Sequence, residues 1–124
     1  MISVGVDIIE IERVQRAIWR WNERFLNRIY TRAELAFCKG RIPELAARFA
    51  GKEAISKALG TGLIGISWQE MEVLADAWGK PLVRLHGRAE DRAVLLGLRE
   101  FAISLSHSRD HAVALVVAGC GDQD

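Results

Sequence analysis

Glu53 and Lys57 stand four residues apart in the segment Arg48-Phe-Ala-Gly-Lys-Glu-Ala-Ile-Ser-Lys-Ala-Leu-Gly-Thr-Gly62. Helical spacing puts both side chains on one face. A carboxylate set among Arg48, Lys52 and Lys57, just before a glycine-rich exit, suits a site that handles a metal ion and phosphates. The same spacing also makes an ordinary surface ion pair, worth about 0.2–0.5 kcal/mol. A second carboxylate bears on the choice. Asp7 lies near the end of the apolar run Ile2–Ile9, where a charge is costly unless it is paired or bound to a cation. Two carboxylates from separate elements, with phosphate oxygens and water, form a usual Mg²⁺ environment, because Mg²⁺ prefers oxygen ligands and keeps waters. Asp7 as a turn or helix-capping residue is the alternative. Gly60-Thr61-Gly62 either lets backbone N–H groups approach a phosphate or simply ends a helix. It is not a GxxxxGK[ST] loop.

His107 follows Ser104-Leu105-Ser106, but Ser106-His107-Ser108 lacks the context of a nucleophile elbow. His86, His107 and His111 show no zinc spacing with Cys38 and Cys120. Arg16, Arg20, Arg24 and Arg28 recur every four residues, with Arg13 three before Arg16. On a continuous helix these form a basic stripe, either a solvated face or, with Trp19, Trp21 and Phe25 interleaved, a docking surface. No recognised nucleic-acid motif accompanies it.

The elements that must position these residues are legible in outline. Ile2 to Ile9 is β-branched and reads as a strand. Glu10 to about Trp21 is helical, with Ile11, Val14 and Ile18 at three- and four-residue spacing. Asn22 interrupts it, and Arg24 to Tyr30 continues helically. Thr31-Arg-Ala-Glu34 has the capping-box pattern and starts a short helix ending near Gly40. Pro43 fits the first helical position of a long central helix, and Gly60 its C-terminal cap. Arg48, Lys52, Glu53 and Lys57 form the polar side expected of that helix. Further on, Glu70–Ala75 and Leu82–His86 read as strands around Trp78-Gly79-Lys80-Pro81, and Gly87–Leu96 as a helix. Phe101–Ser106 and Ala112–Ala118 read as a hairpin, the last strand apolar enough to be buried on both faces. Helices first and antiparallel strands second give an α+β fold: one small domain over residues 1–124, with the long central helix packed on an antiparallel sheet.

Composition narrows the function. Half of the 124 residues are hydrophobic and 27% charged, which argues against disorder. No apolar run approaches the roughly 20 residues of a membrane helix, and Asp7 falls where a signal peptide should be apolar. Two cysteines without a CxxC are too few for a disulfide framework, so cytoplasm is the expected compartment. Net charge is +1, yet residues 10–57 hold 11 Lys/Arg against 6 Asp/Glu, and residues 58–124 hold 6 against 9. A basic half calls for an acidic partner or phosphates.

Taken together, the chain resembles the holo-(acyl-carrier-protein) synthase family of small 4′-phosphopantetheinyl transferases. The resemblance spans almost the full length. It rests on Gly5-Val-Asp7-Ile-Ile-Glu10, Arg28-Ile-Tyr-Thr31-Arg-Ala-Glu34, the Arg48–Gly62 segment, Gly79-Lys-Pro81 and Ser104-Leu-Ser-His107-Ser108, in that order. It implies Mg²⁺-dependent transfer of the 4′-phosphopantetheine arm of coenzyme A to a serine of apo acyl carrier protein, releasing adenosine 3′,5′-bisphosphate, a step that serves fatty acid biosynthesis. The family motif places the metal carboxylates on Asp7 and Glu53, and a pyrophosphate contact on Lys57. It places cofactor contacts on Arg48, Gly60, Gly62, His107 and Ser108, and carrier-protein contacts on Arg13, Arg24, Phe25 and Arg28. Serine is a poor nucleophile until deprotonated, and Glu53, directly or through a water, is the expected base. The resemblance further implies a homotrimer with active sites between subunits, no nucleic-acid partner and no membrane span. Departures are Gly51, where alanine is usual, His111, where tyrosine is common, and a short Ala33–Pro43 segment. A non-catalytic module binding carrier protein or coenzyme A, and a basic nucleic-acid-binding domain, are the competing readings.

Overall fold

The structure, a computed structural model, describes residues 1–60 and 64–121. Strand β1 (Ile2–Glu10) leads directly into α1 (Ile11–Trp21), followed by α2 (Glu23–Ile29), α3 (Arg32–Cys38) and the long α4 (Ile42–Leu59). A short 3₁₀ turn (Trp68–Glu70), β2 (Met71–Ala75), β3 (Pro81–Leu85), α5 (Gly87–Leu96), β4 (Glu100–His107) and β5 (His111–Gly119) complete the chain. The strands form an antiparallel sheet in the order β1-β5-β4 and a separate β2-β3 hairpin. The α+β expectation holds, with α4 central. None of the described helices is long and apolar enough to cross a membrane.

Alternation along β1 decides how the sheet meets α4. Ser3, Gly5, Asp7 and Ile9 turn inward, while Ile2, Val4, Val6 and Ile8 point the other way and are exposed. Gly5 lets the helix come close, since a Cβ there would run into the backbone of Ala54 and Ala58. Ala46, Ala50, Ala54 and Ala58 keep α4 slender, and Ser3 Oγ donates to the Ala58 carbonyl at 2.5 Å. From β5, Ala112, Ala114, Val116 and Ala118 complete the floor, all fully buried.

Two expectations need correction. β5 is the central strand, but only one of its faces is fully covered: Leu115 and Val117 on the other are 44% and 40% exposed, because no described element of the chain lies across them. Nor does α4 have a solvated polar side. Twelve of its eighteen residues are buried, Arg48 and Lys52 among them, because layers of structure lie on several sides of it. The punctuation fares better. Asn22, at φ 47°, ends α1 by donating its N–H to the Ile18 carbonyl. Thr31 and Glu34 form the capping box of α3. Pro43 falls at the second residue of α4, and Gly60, at φ 76°, caps its end in the left-handed region.

Candidate active site

Asp7, on the inward face of β1, meets the last turns of α4. The Lys57 ammonium donates to Asp7 Oδ1 at 3.2 Å and to the Val6 carbonyl at 2.9 Å. Lys57 therefore pairs with a carboxylate fifty residues away rather than with Glu53 one turn back. Glu53 shares this corner and is half-buried. Burial first, and then the nearby Asp7 charge, push its carboxyl above the ordinary glutamate value, while Lys57 partly offsets them. The arrangement is two carboxylates close enough to repel, with one cation between strand and helix. Such a pair can hold a hard cation or a proton, and its half-exposed lysine can reach an anion.

The glycine exit begins three residues after Lys57. Gly60 donates its N–H to the Lys57 carbonyl at 3.1 Å, and Arg92 Nε donates to the Leu59 carbonyl at 3.1 Å, so a cation closes the C-terminal end of α4. Gly62 lies outside the described residues.

The structure does not bring Arg48 to this corner. Nine residues separate it from Lys57, which is about 180° around a helix. It is 2% exposed, with Nη1 on Glu44 Oε2 at 3.0 Å and its guanidinium carbon 4.2 Å from the Phe37 ring centre. Burial on the far side of α4 removes it from the phosphate site expected of it within this chain. Lys52 is likewise turned away, onto Glu34 at 2.8 Å.

His107 and Ser108 are also apart from Asp7. Asp7 pairs with Ala114 and His107 with Ala112, on opposite edges of the three-stranded sheet. Strand spacing then separates them by about 10 Å across the sheet and about 7 Å along it. His107 is exposed, and Ser108 ties the β4–β5 turn by donating its N–H to the His111 carbonyl at 2.8 Å.

The expected partner-binding residues do converge. Arg24, Phe25 and Arg28 line a cavity of about 590 Å³ together with Trp21, Phe49 and Trp68. Arg13 opens onto an adjoining hollow that Phe25 and Phe49 also line. The floor is an aromatic stack: Phe25–Phe49 centroids lie 6.3 Å apart and Phe49–Trp68 4.9 Å. The break at Asn22 divides the arginine stripe. Arg16 turns to Glu12 at 2.7 Å, and Arg20 lies over Trp21 at 5.0 Å. Phe49 and Trp68 are additions that sequence reasoning missed. For Phe49 a signal existed: it stands four residues before Glu53, one turn away on the same side of α4. The basic aromatic cavity and the carboxylate corner are thus neighbours along one helix.

Against known proteins, residues 3–116 match the model of the 4′-phosphopantetheinyl transferase superfamily. The holo-[acyl-carrier-protein] synthase of Herpetosiphon aurantiacus is 51% identical, covering 94% of this chain and 98% of that protein. Among solved structures, the holo-[acyl-carrier-protein] synthase of Neisseria meningitidis superposes with a TM-score of 0.87 at 34% identity, covering 96% and 99% of the two chains. The Helicobacter pylori enzyme in complex with coenzyme A superposes with a TM-score of 0.86 at 29% identity, covering 94% and 99%.

Proposed function

Because this chain belongs to the 4′-phosphopantetheinyl transferase superfamily and, within it, to the holo-[acyl-carrier-protein] synthases, we propose that it transfers the 4′-phosphopantetheine arm of coenzyme A to a serine of apo acyl carrier protein. The observation that carries this reading is the meeting of Asp7, Glu53 and Lys57 at one corner, one helical turn from an arginine-rimmed aromatic cavity.

The donor set fits Mg²⁺. Asp7 and Glu53 offer hard oxygens, and no cluster of three His, Cys, Asp or Glu occurs among the described residues. An ion held by two carboxylates and completed by water and phosphate is Mg²⁺-like rather than zinc-like. When bound, Mg²⁺ supplies charge neutralisation to the pyrophosphate.

The serine oxygen bonds to the phosphorus that bears pantetheine. The phosphorus–oxygen bond to adenosine 3′,5′-bisphosphate breaks, and its electron pair leaves with that product. Glu53 takes the serine proton, directly or through a water. Lys57 turns from Asp7 to the pyrophosphate, at little cost, since an exposed ion pair is worth about 0–1 kcal/mol. Gly60 leaves room for the cofactor beside it. Arg13, Arg24 and Arg28 steer and seat the acidic carrier protein, and Phe25, Phe49 and Trp68 give it an apolar floor.

Self-association belongs to the same proposal. Ile2, Val4, Val6, Ile8, Leu115 and Val117 leave an apolar face open on the sheet, a surface that small monomers rarely leave uncovered. A second and third copy cover it, giving a homotrimer. A site shared between copies also accounts for His107 and Ser108, expected at the cofactor yet distant from Asp7 in one chain. Light scattering distinguishes a trimer, three times 13.8 kDa, from a monomer, which would remove this part of the proposal. We place the activity in the cytoplasm, supplying carrier protein for fatty acid biosynthesis.

The test is intact-mass spectrometry of apo acyl carrier protein incubated with the chain, coenzyme A and Mg²⁺. One phosphopantetheine mass is gained, and EDTA prevents it. No gain, in a mixture that a known transferase modifies, refutes the activity. A gain that EDTA leaves untouched refutes the metal.

A further inference from the structure

We propose that Lys52 is a positioning residue for Glu53: its buried ammonium fixes the rotation of α4 and so holds the Glu53 carboxylate against Asp7. The assignment rests on the reading of Asp7 and Glu53 as the cation site.

The need for such a device follows from the helix surface. Ala46, Ala47, Ala50, Gly51, Ala54 and Ala58 are buried around α4. Small side chains allow close approach but offer few knobs that resist rotation about the axis. Apolar burial is also non-directional. Leu45, Ile55 and Leu59 are the large buried apolar side chains of α4, and directional bonds add to their packing in setting the angle.

Lys52 provides them from mid-helix. Nζ donates to Glu34 Oε1 at 2.8 Å, to the Met71 carbonyl at 2.9 Å and to the Trp68 carbonyl at 3.1 Å. Three ammonium protons meet three acceptors, on α3, on β2 and on the 3₁₀ turn, so the group is fully satisfied. Its side chain is 0% exposed, as is that of Glu34. Glu34 is itself held: Oε1 accepts from the Thr31 N–H at 2.9 Å and Oε2 from the Val73 N–H at 2.8 Å. Other side-chain ties to α4 act toward its ends: Tyr30 on the Leu45 carbonyl, Ser3 on the Ala58 carbonyl and Arg92 on the Leu59 carbonyl. Lys52 is anchored one residue before Glu53, about 100° around the helix. A rotation that breaks its bonds swings Glu53 along the sheet. The same ties hold Trp68, part of the partner cavity floor, at a fixed height beside α4.

Lys52→Met alone strands the Glu34 charge in the core and is expected to destabilise the fold. Glu34→Gln/Lys52→Met removes both charges and keeps the packed volume. Leu98→Ala is the control, a core truncation beyond α5 that lowers stability without touching these bonds. Mn²⁺ binding to the substrate-free trimer or monomer, followed by electron paramagnetic resonance, is measured well below each melting temperature, alongside kcat and the KM for coenzyme A. The double variant is expected to bind Mn²⁺ about tenfold or more weakly and to lose kcat by a similar factor, since ångström-scale misplacement costs up to about 100-fold. Leu98→Ala, whatever its melting temperature, keeps wild-type Mn²⁺ affinity. A folded double variant with wild-type Mn²⁺ affinity and kcat overturns the assignment. So does a control that loses Mn²⁺ affinity as much as the double variant, since loosened packing would then suffice. Failure of the wild-type chain itself to bind Mn²⁺ overturns the cation site and this assignment with it.

Discussion

Replacing Gly5 with alanine should separate the two halves of the site. An added Cβ would stand 2.9 Å from both the Ala54 carbonyl carbon and the Ala58 nitrogen, and nearer still to the Ala54 oxygen. Ordinary contact begins at 3.4 Å, so β1 must retreat from α4 by at least 3.4 − 2.9 = 0.5 Å, and further to clear the oxygen. The obstacle is helix backbone, which no rotamer change can relieve. Overpacking of this kind costs about 1–3 kcal/mol. Asp7 is two residues along on the same face and moves with the strand, stretching the 3.2 Å Lys57–Asp7 bond. Displacement of roughly half an ångström to one ångström predicts a ten- to hundredfold loss of kcat in the carrier-protein mass-shift assay. The melting temperature should fall as well. Ser3→Ala is the comparison: it removes one hydrogen bond between the same elements, worth about 0.5–1.5 kcal/mol, and introduces no clash. It should lose stability but keep kcat. A Gly5→Ala variant with wild-type kcat and melting temperature would refute the close approach as the feature that holds Asp7 to Glu53.

Three further outcomes follow from the same geometry. In the metal-free chain, carboxyl NMR should find Glu53 titrating above the ordinary glutamate range, and Asp7→Asn should bring it down by removing the like charge. Because the folded pKa is the raised one, this group opposes folding once pH rises past its unfolded value, so stability lost there should be partly recovered in Glu53→Gln; an unshifted Glu53 removes the basis for both. Gly51→Ala should stabilise the chain. Its Cβ would meet only side-chain ends, Ile103 Cδ1 at 3.2 Å and Val73 Cγ2 at 3.3 Å, which can yield a few tenths of an ångström, while helix propensity improves by about 0.8–1 kcal/mol; a lower melting temperature contradicts this. Cys38 is fully buried, and burial pushes its thiol up to about 11, so iodoacetamide should modify Cys120 and spare Cys38 in the native protein.

What the sequence disclosed depended on whether the signal was local. Caps and turns at Asn22, Thr31–Glu34 and Gly60 are set by neighbouring residues, and they were legible. So was Asp7, because a carboxylate in an apolar strand is conspicuous without any partner. Arg48 and Lys52 misled, because four charges in one helical segment resemble a solvated face. Only the tertiary structure sends two of them into the core, and Glu34, the partner of Lys52, carried a local meaning of its own in the capping box. Trp68 is distant in sequence from Arg24 and Phe25, and no spacing rule connects them. Strand β5 read as buried on both faces because its residues are apolar throughout. One chain covers only half of that expectation, and the surplus apolarity is what the proposed neighbouring copies use.

The most direct test of the carboxylate corner compares wild type, Asp7→Asn and Glu53→Gln in one reaction. Apo acyl carrier protein, coenzyme A and Mg²⁺ are mixed with each folded protein, and the phosphopantetheine mass gain is followed in time. Wild type should convert the carrier protein, and both variants should fail even at raised Mg²⁺ while keeping the wild-type circular dichroism spectrum. Full conversion by either variant would contradict the assignment of its carboxylate to the reaction.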